Sequence, residues 1–192
     1  FSQYRYMKKY IISISIFLIS LISFSQEELS KNNIYVEFLG KGLFYSVNYE
    51  RKIIQLNDLI GINLSAGLGV FPGLTSIEKS IDLFIPFEMN FSFSNNNHHG
   101  VIGYGTTYWR YKINYIDIDN SNLSQQPIAP TLENINEWFA HVLMEYRFQK
   151  PTGGFLFKAG YCPLFFAKAE NTTFNKKINY QTSINIGVGW SF

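Results

Sequence analysis

The segment INIGVGWSF, residues 184–192, divides strictly between two unlike sets of side chains. Ile184, Ile186, Val188, Trp190 and Phe192 form one set, and Asn185, Gly187, Gly189 and Ser191 the other. A period of two is that of a β-strand, whose successive side chains point to opposite faces. The constraint lies in the second set, which is small or polar and carries no charge. A strand that turns one side to bulk water normally displays Lys, Glu or other strongly solvated groups there. Whatever architecture this chain adopts must therefore explain an apolar, aromatic face backed by a face of Gly, Asn and Ser.

The same rule recurs along the chain. In 59–71, Ile60, Ile62, Leu64, Ala66, Leu68 and Val70 alternate with Gly61, Asn63, Ser65, Gly67 and Gly69. In 80–94, Ile81 to Phe93 place seven apolar residues opposite Asp82, Phe84, Pro86, Glu88, Asn90 and Ser92. In 137–149, Trp138, Ala140, Val142, Met144, Tyr146 and Phe148 oppose Phe139, His141, Leu143, Glu145, Arg147 and Gln149. The final segment, 178–192, repeats the rule, 100–114 and 154–167 follow it less cleanly, and no amphipathic helix pattern interrupts it. The opening stretch, NIYVEFLGKGLFYSVNYERKI, changes parity: Val36 and Phe38 are even, whereas Leu43, Tyr45, Val47 and Tyr49 are odd. A continuous strand keeps its parity, so Gly40-Lys41-Gly42 is expected to be a tight turn between two strands. The count becomes eight. Connections near 40–42, 72–79, 115–136 and 168–177 fall at one end, and short ones near 54–58, 95–99 and 150–153 at the other.

Residues 7–26, MKKYIISISIFLISLISFSQ, read as a secretory signal, with Lys8 and Lys9 ahead of an apolar run from Ile11 to Ile22. That run is short of the roughly 20 apolar residues of a bilayer-spanning helix. Residues 1–6 are expected to be upstream translation, and 27–192 the folded domain. Arg5, Lys8 and Lys9 are the only charges before Glu27, so the remainder has 13 basic and 14 acidic side chains out of totals of 16 and 14. A nearly neutral body lacks the basic patch of a nucleic-acid binder. One cysteine, Cys162, excludes an intramolecular disulfide.

An even number of strands, export, and long connections at one end and short ones at the other fit an eight-stranded, antiparallel, up-and-down transmembrane β-barrel. The apolar set then meets lipid, and the Gly, Ser and Asn set fills a lumen just wide enough for side chains. A barrel closing on an apolar interior in water is the alternative, and it would need charged cover outside. On the lipid-facing reading, Glu37, Glu50, Glu88 and Glu145 point inward against Arg110, Arg147 and Lys158, with His141 among them. Unpaired ions at membrane depth are costly, so a salt-bridged plug is expected, completed by Asn48, Asn63, Asn90, Ser46 and Ser65. Trp138, Tyr146, Phe148, Trp109, Tyr111, Trp190 and Phe192 are expected outside, as interfacial aromatic girdles.

These features resemble the small outer-membrane β-barrel proteins of Gram-negative bacteria. The resemblance implies residence in the outer membrane as a monomer among its lipids. It also implies that Ile184, Ile186, Val188, Trp190 and Phe192 are the signal read by the barrel-assembly machinery. The SFSQ cleavage region and VEFLGKGLFYSVNYERKI look like an uncharacterised barrel family of the Bacteroidota. Fold does not fix activity. The function expected is a structural or surface-interaction role, with a narrow channel for ions or small solutes as the alternative.

No metal or cofactor site is expected. His98 and His99 in NNNHHG stand alone, and IDIDNSN lacks the Gly and Glu of a calcium loop. GVIGYG has no following helix to bind a dinucleotide, and its glycines suit close packing inside a narrow barrel. An enzyme is not expected; the residual possibility is a lipid acyltransferase or deacylase using Ser46 and His141. The loop 115–136, YIDIDNSNLSQQPIAPTLENIN, is the candidate surface for an extracellular ligand.

Overall fold

A computed structural model describes residues 30–57, 59–72, 81–115, 131–166 and 180–192. The expected signal segment and residues 1–6 lie outside these residues, as does most of the candidate ligand loop.

Ten strands follow one another: β1 (Asn32–Leu39), β2 (Tyr45–Gln55), β3 (Ile60–Pro72), β4 (Ile81–Asn95), β5 (His98–Tyr115), β6 (Thr131–Gln149), β7 (Gly154–Tyr161), β8 (Leu164–Phe166), β9 (Tyr180–Gln181) and β10 (Ile184–Ser191). All pair antiparallel with their neighbours. β7 and β8 both pair with β6, and the register carries across the gap at Cys162 and Pro163: Met144 faces Tyr161 and His141 faces Leu164. On the other side Ile184 faces Tyr161 and Gln181 faces Leu164, again in step. Each broken pair is therefore one stave of a sheet, and the ten strands make eight staves. Pairing of β1 with β10, from Asn33↔Ser191 to Leu39↔Asn185, closes the sheet on itself. The chain is all-β, a closed eight-stranded antiparallel barrel. Over the span where β1 and β10 pair, closure leaves no sheet edge and gives each stave a neighbour on both sides.

Turn chemistry fixes the short end. Asn57 Oδ1 accepts hydrogen bonds from the amides of Leu59 and Ile60, at 3.0 and 2.7 Å, which turns β2 into β3. Asn96 takes φ 55° in the two-residue link between Asn95 and His98, a left-handed conformation that Asn tolerates. Gly153 and Gly154, at φ 94° and 105°, lead from Pro151 into β7. His98 and His99 thus begin β5 instead of lying in the turn.

Alternation decides the faces. On β3, Asn63 and Ser65 are buried while Leu64, Ala66 and Leu68 are exposed, and on β10 Asn185 is buried between exposed Ile184 and Ile186. The polar set lines the interior and the apolar set covers the outer wall, so an apolar-cored barrel does not describe this chain.

Three details differ from the sequence reading. The β5–β6 hairpin stays paired to Tyr115↔Thr131, so residues 131–136 belong to a strand and not to the loop 115–136. Trp109 and Tyr111 lie on the odd, inward face of β5 and are wholly buried, not in an outer girdle. They join Phe84, Phe139, Leu143, Leu164 and Phe166 in an apolar cluster inside the barrel. Phe84 stacks on Trp109 at 5.5 Å, and Phe139 meets Phe166 at 5.0 Å. The turn Gly40–Gly42, finally, does not project from the rim. It is a single 3-10 turn whose three residues are all buried.

The closing seam has little slack. A Cβ on Gly189 would stand 2.5 Å from Tyr35 Cβ and 2.6 Å from Tyr35 Cα, against backbone that cannot give way. Gly189→Ala should therefore lower the unfolding free energy by about 1–3 kcal/mol, the usual cost of overpacking. Urea titration of the detergent-folded protein, followed by tryptophan fluorescence, measures it.

Candidate functional site: the charged lumen

Inward positions on five staves send ionisable side chains into one narrow space. Glu37 comes from β1, Glu50 from β2, Glu88 from β4, His141, Glu145 and Arg147 from β6, and Lys158 from β7; all are buried. Room for them comes from inward glycines. Gly187 faces Lys158 in register, and a Cβ there would meet the Lys158 stem at 2.7 Å. Gly105 does the same for His141, whose Nε2 would lie 2.6 Å from an added Cβ.

The side chains connect into a closed circuit. The Arg147 guanidinium grips Glu50 through two bonds, at 2.5 and 3.0 Å, and also reaches Glu145 at 3.2 Å. Glu145 in turn forms an ion pair with Lys158 at 2.8 Å, and Lys158 lies 2.7 Å from Glu37. From Glu37 the path runs to Lys41 at 3.9 Å and on to Glu88 at 2.8 Å. The Asn90 amide then donates to both Glu88 (2.8 Å) and Glu50 (3.0 Å), which returns the circuit to Arg147. Asn185 donates to Glu145 at 2.8 Å, and Asn33 donates to Glu50 at 2.8 Å. Tyr35 stands in the middle. Its ring lies 4.1 Å from Lys158 Nζ, and its hydroxyl accepts from Lys41 at 3.2 Å.

Lys41 is the member that sequence reasoning missed. The Gly40–Gly42 turn folds back into the barrel and carries this lysine to full burial. Thr107 donates to the Lys41 carbonyl at 2.9 Å, tying the turn to β5. The path in and out is strained. Leu39 has φ 62°, ψ −156°, and Leu43 has φ 60°, ψ −59°. Backbone of this kind costs on the order of 1–3 kcal/mol per residue and persists only where its surroundings hold it. Ion pairs to Glu37 and Glu88 supply that hold. The legible signal was a lone cation between two glycines at a parity change, which points to an unusual turn but not to its direction.

Arg110 is the expected member that does not belong. It sits on the even, outward face of β5 and is exposed, because inward parity on that strand falls to Val101, Thr107, Trp109 and Tyr111. His141 does lie with the carboxylates, its Nε2 3.2 Å from Glu88 and its Nδ1 3.4 Å from Thr107 Oγ1. Ser46 is bonded to the Asn48 amide at 2.9 Å, and nothing joins it to His141. Among the residues expected to complete the hydrogen bonding, Ser65 receives Lys41 at 3.3 Å and Tyr35 at 3.4 Å. Ile184, Ile186, Val188 and Trp190 form the exposed face of β10, and Phe192 is half-buried beyond its end.

Both ends of the circuit are covered. The aromatic cluster of Phe84, Trp109, Tyr111 and Phe139 fills the end where the long connections leave. At the other end Gln149 bonds Ser191 (2.8 Å), and Ser191 meets Ser30. A polar cleft of about 260 Å³ opens below them, lined by residues that include Lys52, Ser94 and His99. Four glutamates thus face Lys41, Arg147, Lys158 and His141 in a narrow interior, with a void of about 20 Å³ beside Arg147 and Asn33. Among the described residues, no group of three or more His, Cys, Asp or Glu is placed to hold a metal ion.

No known family model matches the chain, and no curated protein matches it in sequence. Among solved structures it is similar to the N-terminal β-barrel domain of OprF from Pseudomonas aeruginosa. Identity is 12%, the match covers 87% of this chain and 100% of that one, and the TM-score is 0.45. The strand pairing described above carries the architecture.

Removing Arg147 strands two carboxylates at once. Arg147→Met should destabilise the barrel by about 3–5 kcal/mol, as for a buried pair that loses one partner. The double variant Arg147→Met/Glu50→Gln should recover a large part of that loss, since the charge left most exposed to an unfavourable interior is then gone. Chemical denaturation of the four members of this cycle gives the coupling directly.

Proposed function

We propose that this chain is an integral outer-membrane β-barrel whose charge-filled lumen makes it a structural or surface-interaction protein and not a conduit. One observation carries the reading: the barrel is inverted, with its ion pairs inside and its large apolar side chains outside. Ile34, Phe38, Val47, Leu64, Leu68, Phe87, Ile102, Met144, Ile186 and Trp190 are all exposed on the outer wall. In water such a continuous apolar surface would drive association, since a monomer rarely exposes more than a few hundred Å² of it. In a bilayer it is the required solvent-facing surface. The bilayer reading also accounts for the closed sheet, because hydrocarbon offers no partner to an unpaired backbone group.

The connections at the two ends differ in the way an outer-membrane barrel's do, with tight Asx and Gly turns at one end and longer spans at the other. On this reading residues 7–26 are the export signal, and the β10 alternation ending in Phe192 is the feature offered to the assembly machinery. The residues quoted from the cleavage region and opening strand are what support an origin in the Bacteroidota. The connection between β5 and β6 is the surface best placed to meet an extracellular ligand, because it springs from the two longest staves, of 18 and 19 residues.

Two measurements test the proposal. Outer-membrane fractions of the expressing cell should contain the protein, and it should migrate faster unheated than boiled on a detergent gel. Purified into planar bilayers, it should give no resolved conductance steps. Recovery in the periplasmic fraction with no heat shift would contradict the membrane assignment. Reproducible steps, abolished by boiling, would instead favour a narrow path along the Glu37–Lys41–Glu88 charges.

A further inference from the structure

We infer that the outer wall of the barrel carries a specific phospholipid site, with the lipid phosphate on Arg51 and one acyl chain in a groove across β2 to β5. The inference rests on the membrane assignment above and adds a defined ligand position to it.

Arg51 is anomalous where it stands. The outward positions of β1 to β4 run Asn32 to Phe38, Tyr45 to Ile53, Ile60 to Val70 and Ile81 to Phe93, in steps of two. Among these described positions Arg51 bears the only charge. Tyr49 and Ile53 flank it on its own strand, and Leu64 faces it on β3. Its side chain is exposed, and among the described residues it has no ion-pair or hydrogen-bond partner. A cation on a lipid-facing surface is costly near the midplane and is relieved where it can reach headgroup oxygens. Arg51 lies toward the short-turn end of its stave, opposite Asn32 at the start of β1. A guanidinium there can fork onto a phosphate with two parallel N–H donors.

The wall beside it is shaped to take a chain. Arg51, Leu64, Met89 and Tyr104 face one another in register across four staves. The next row of outward positions holds Tyr49, Ala66, Phe87 and Thr106. Ala66 and Thr106 are short, and with Gly105 beside them they leave a groove of about 610 Å³ between the larger side chains. Apolar groups line it almost throughout, and Arg51 is its only outward-facing charge. The Tyr49 hydroxyl is turned away, donating to Asn32 at 2.7 Å, so it adds no competing polar group to the floor. A hydrocarbon channel with one unpaired cation at its margin matches an anionic headgroup joined to an acyl tail.

The test uses the full chain reconstituted in phosphatidylcholine vesicles with a trace of phosphatidylglycerol that carries a diazirine in one acyl chain. After photolysis, label on the wild type should concentrate on the groove side chains, Phe87, Met89 and Tyr104. Arg51→Gln should lower that labelling about fivefold, the loss expected for one cation at a membrane surface. Ala66→Phe, which fills the groove from an exposed position, should move the label elsewhere even though Arg51 is intact. Label spread evenly around the wall, or undiminished in Arg51→Gln, would overturn the site. Heat-shift gels on each sample separate the two failures. A shifted, vesicle-inserted barrel with unlocalised label refutes this site alone, whereas absence of insertion and heat shift refutes the membrane assignment itself.

Discussion

The structure depends on the ion-paired circuit that runs Arg147–Glu145–Lys158–Glu37–Lys41–Glu88–Asn90–Glu50 and back to Arg147. Each charge in it has been taken out of water, and the desolvation of a single ion is worth several kcal/mol even after relaxation. Mutual attraction offsets that cost only when geometry is good and further hydrogen bonds support the ions; Asn33, Asn90 and Asn185 donate such bonds to the carboxylates, and the Tyr35 hydroxyl accepts one from Lys41. The rest follows from this requirement. Glycines at 105 and 187 are needed to admit the long side chains, and the staves must hold a single register or the pairs separate. A slip of one residue on any of the five staves that carry the circuit would turn its charge onto the apolar wall.

The Gly40–Gly42 turn shows the circuit shaping the backbone as well. Leu39 and Leu43 adopt positive φ values that their side chains resist, and the turn lies inside the barrel instead of over its rim. Its lysine bridges Glu37 and Glu88, which would otherwise face each other's charge across a narrow interior. The aromatic cluster above it, with Leu43 as a member, then seals the lumen from the end where the long connections leave. Charge below and aromatic packing above make the interior a core of two kinds in one barrel.

Much of this was legible in the sequence, for a definite reason. Period-two alternation assigns every residue of a strand to a face once one is known, so Glu37, Glu50, Glu88, His141, Glu145, Arg147 and Lys158 could be placed inside before any coordinates. The same arithmetic misplaced Arg110, Trp109 and Tyr111, because β5 reads YGTTYWRYK, where large or polar residues stand on both faces and parity has nothing to lock onto. Counting outward from Val101 and Gly103 would have corrected all three. The loop 115–136 was overestimated because NINEW does not alternate, though the backbone pairs through it. Lys41 was not accessible at all. Two glycines allow a turn to bend either way, and only the unsatisfied carboxylates of other staves decide that it bends inward.

The central claim is that the barrel is inverted, with lipid against the apolar set and a filled polar interior. Spin labels placed one at a time at positions 62 to 68 of β3, in a Cys162→Ala background reconstituted in liposomes, test it most directly. Collision with dissolved oxygen, which concentrates in hydrocarbon, should be high at Ile62, Leu64, Ala66 and Leu68. At Asn63, Ser65 and Gly67 both oxygen and a water-soluble nickel chelate should be excluded. High chelate access at the odd positions would mean an open, water-filled lumen, and low oxygen access at the even ones would mean that the apolar wall does not face lipid.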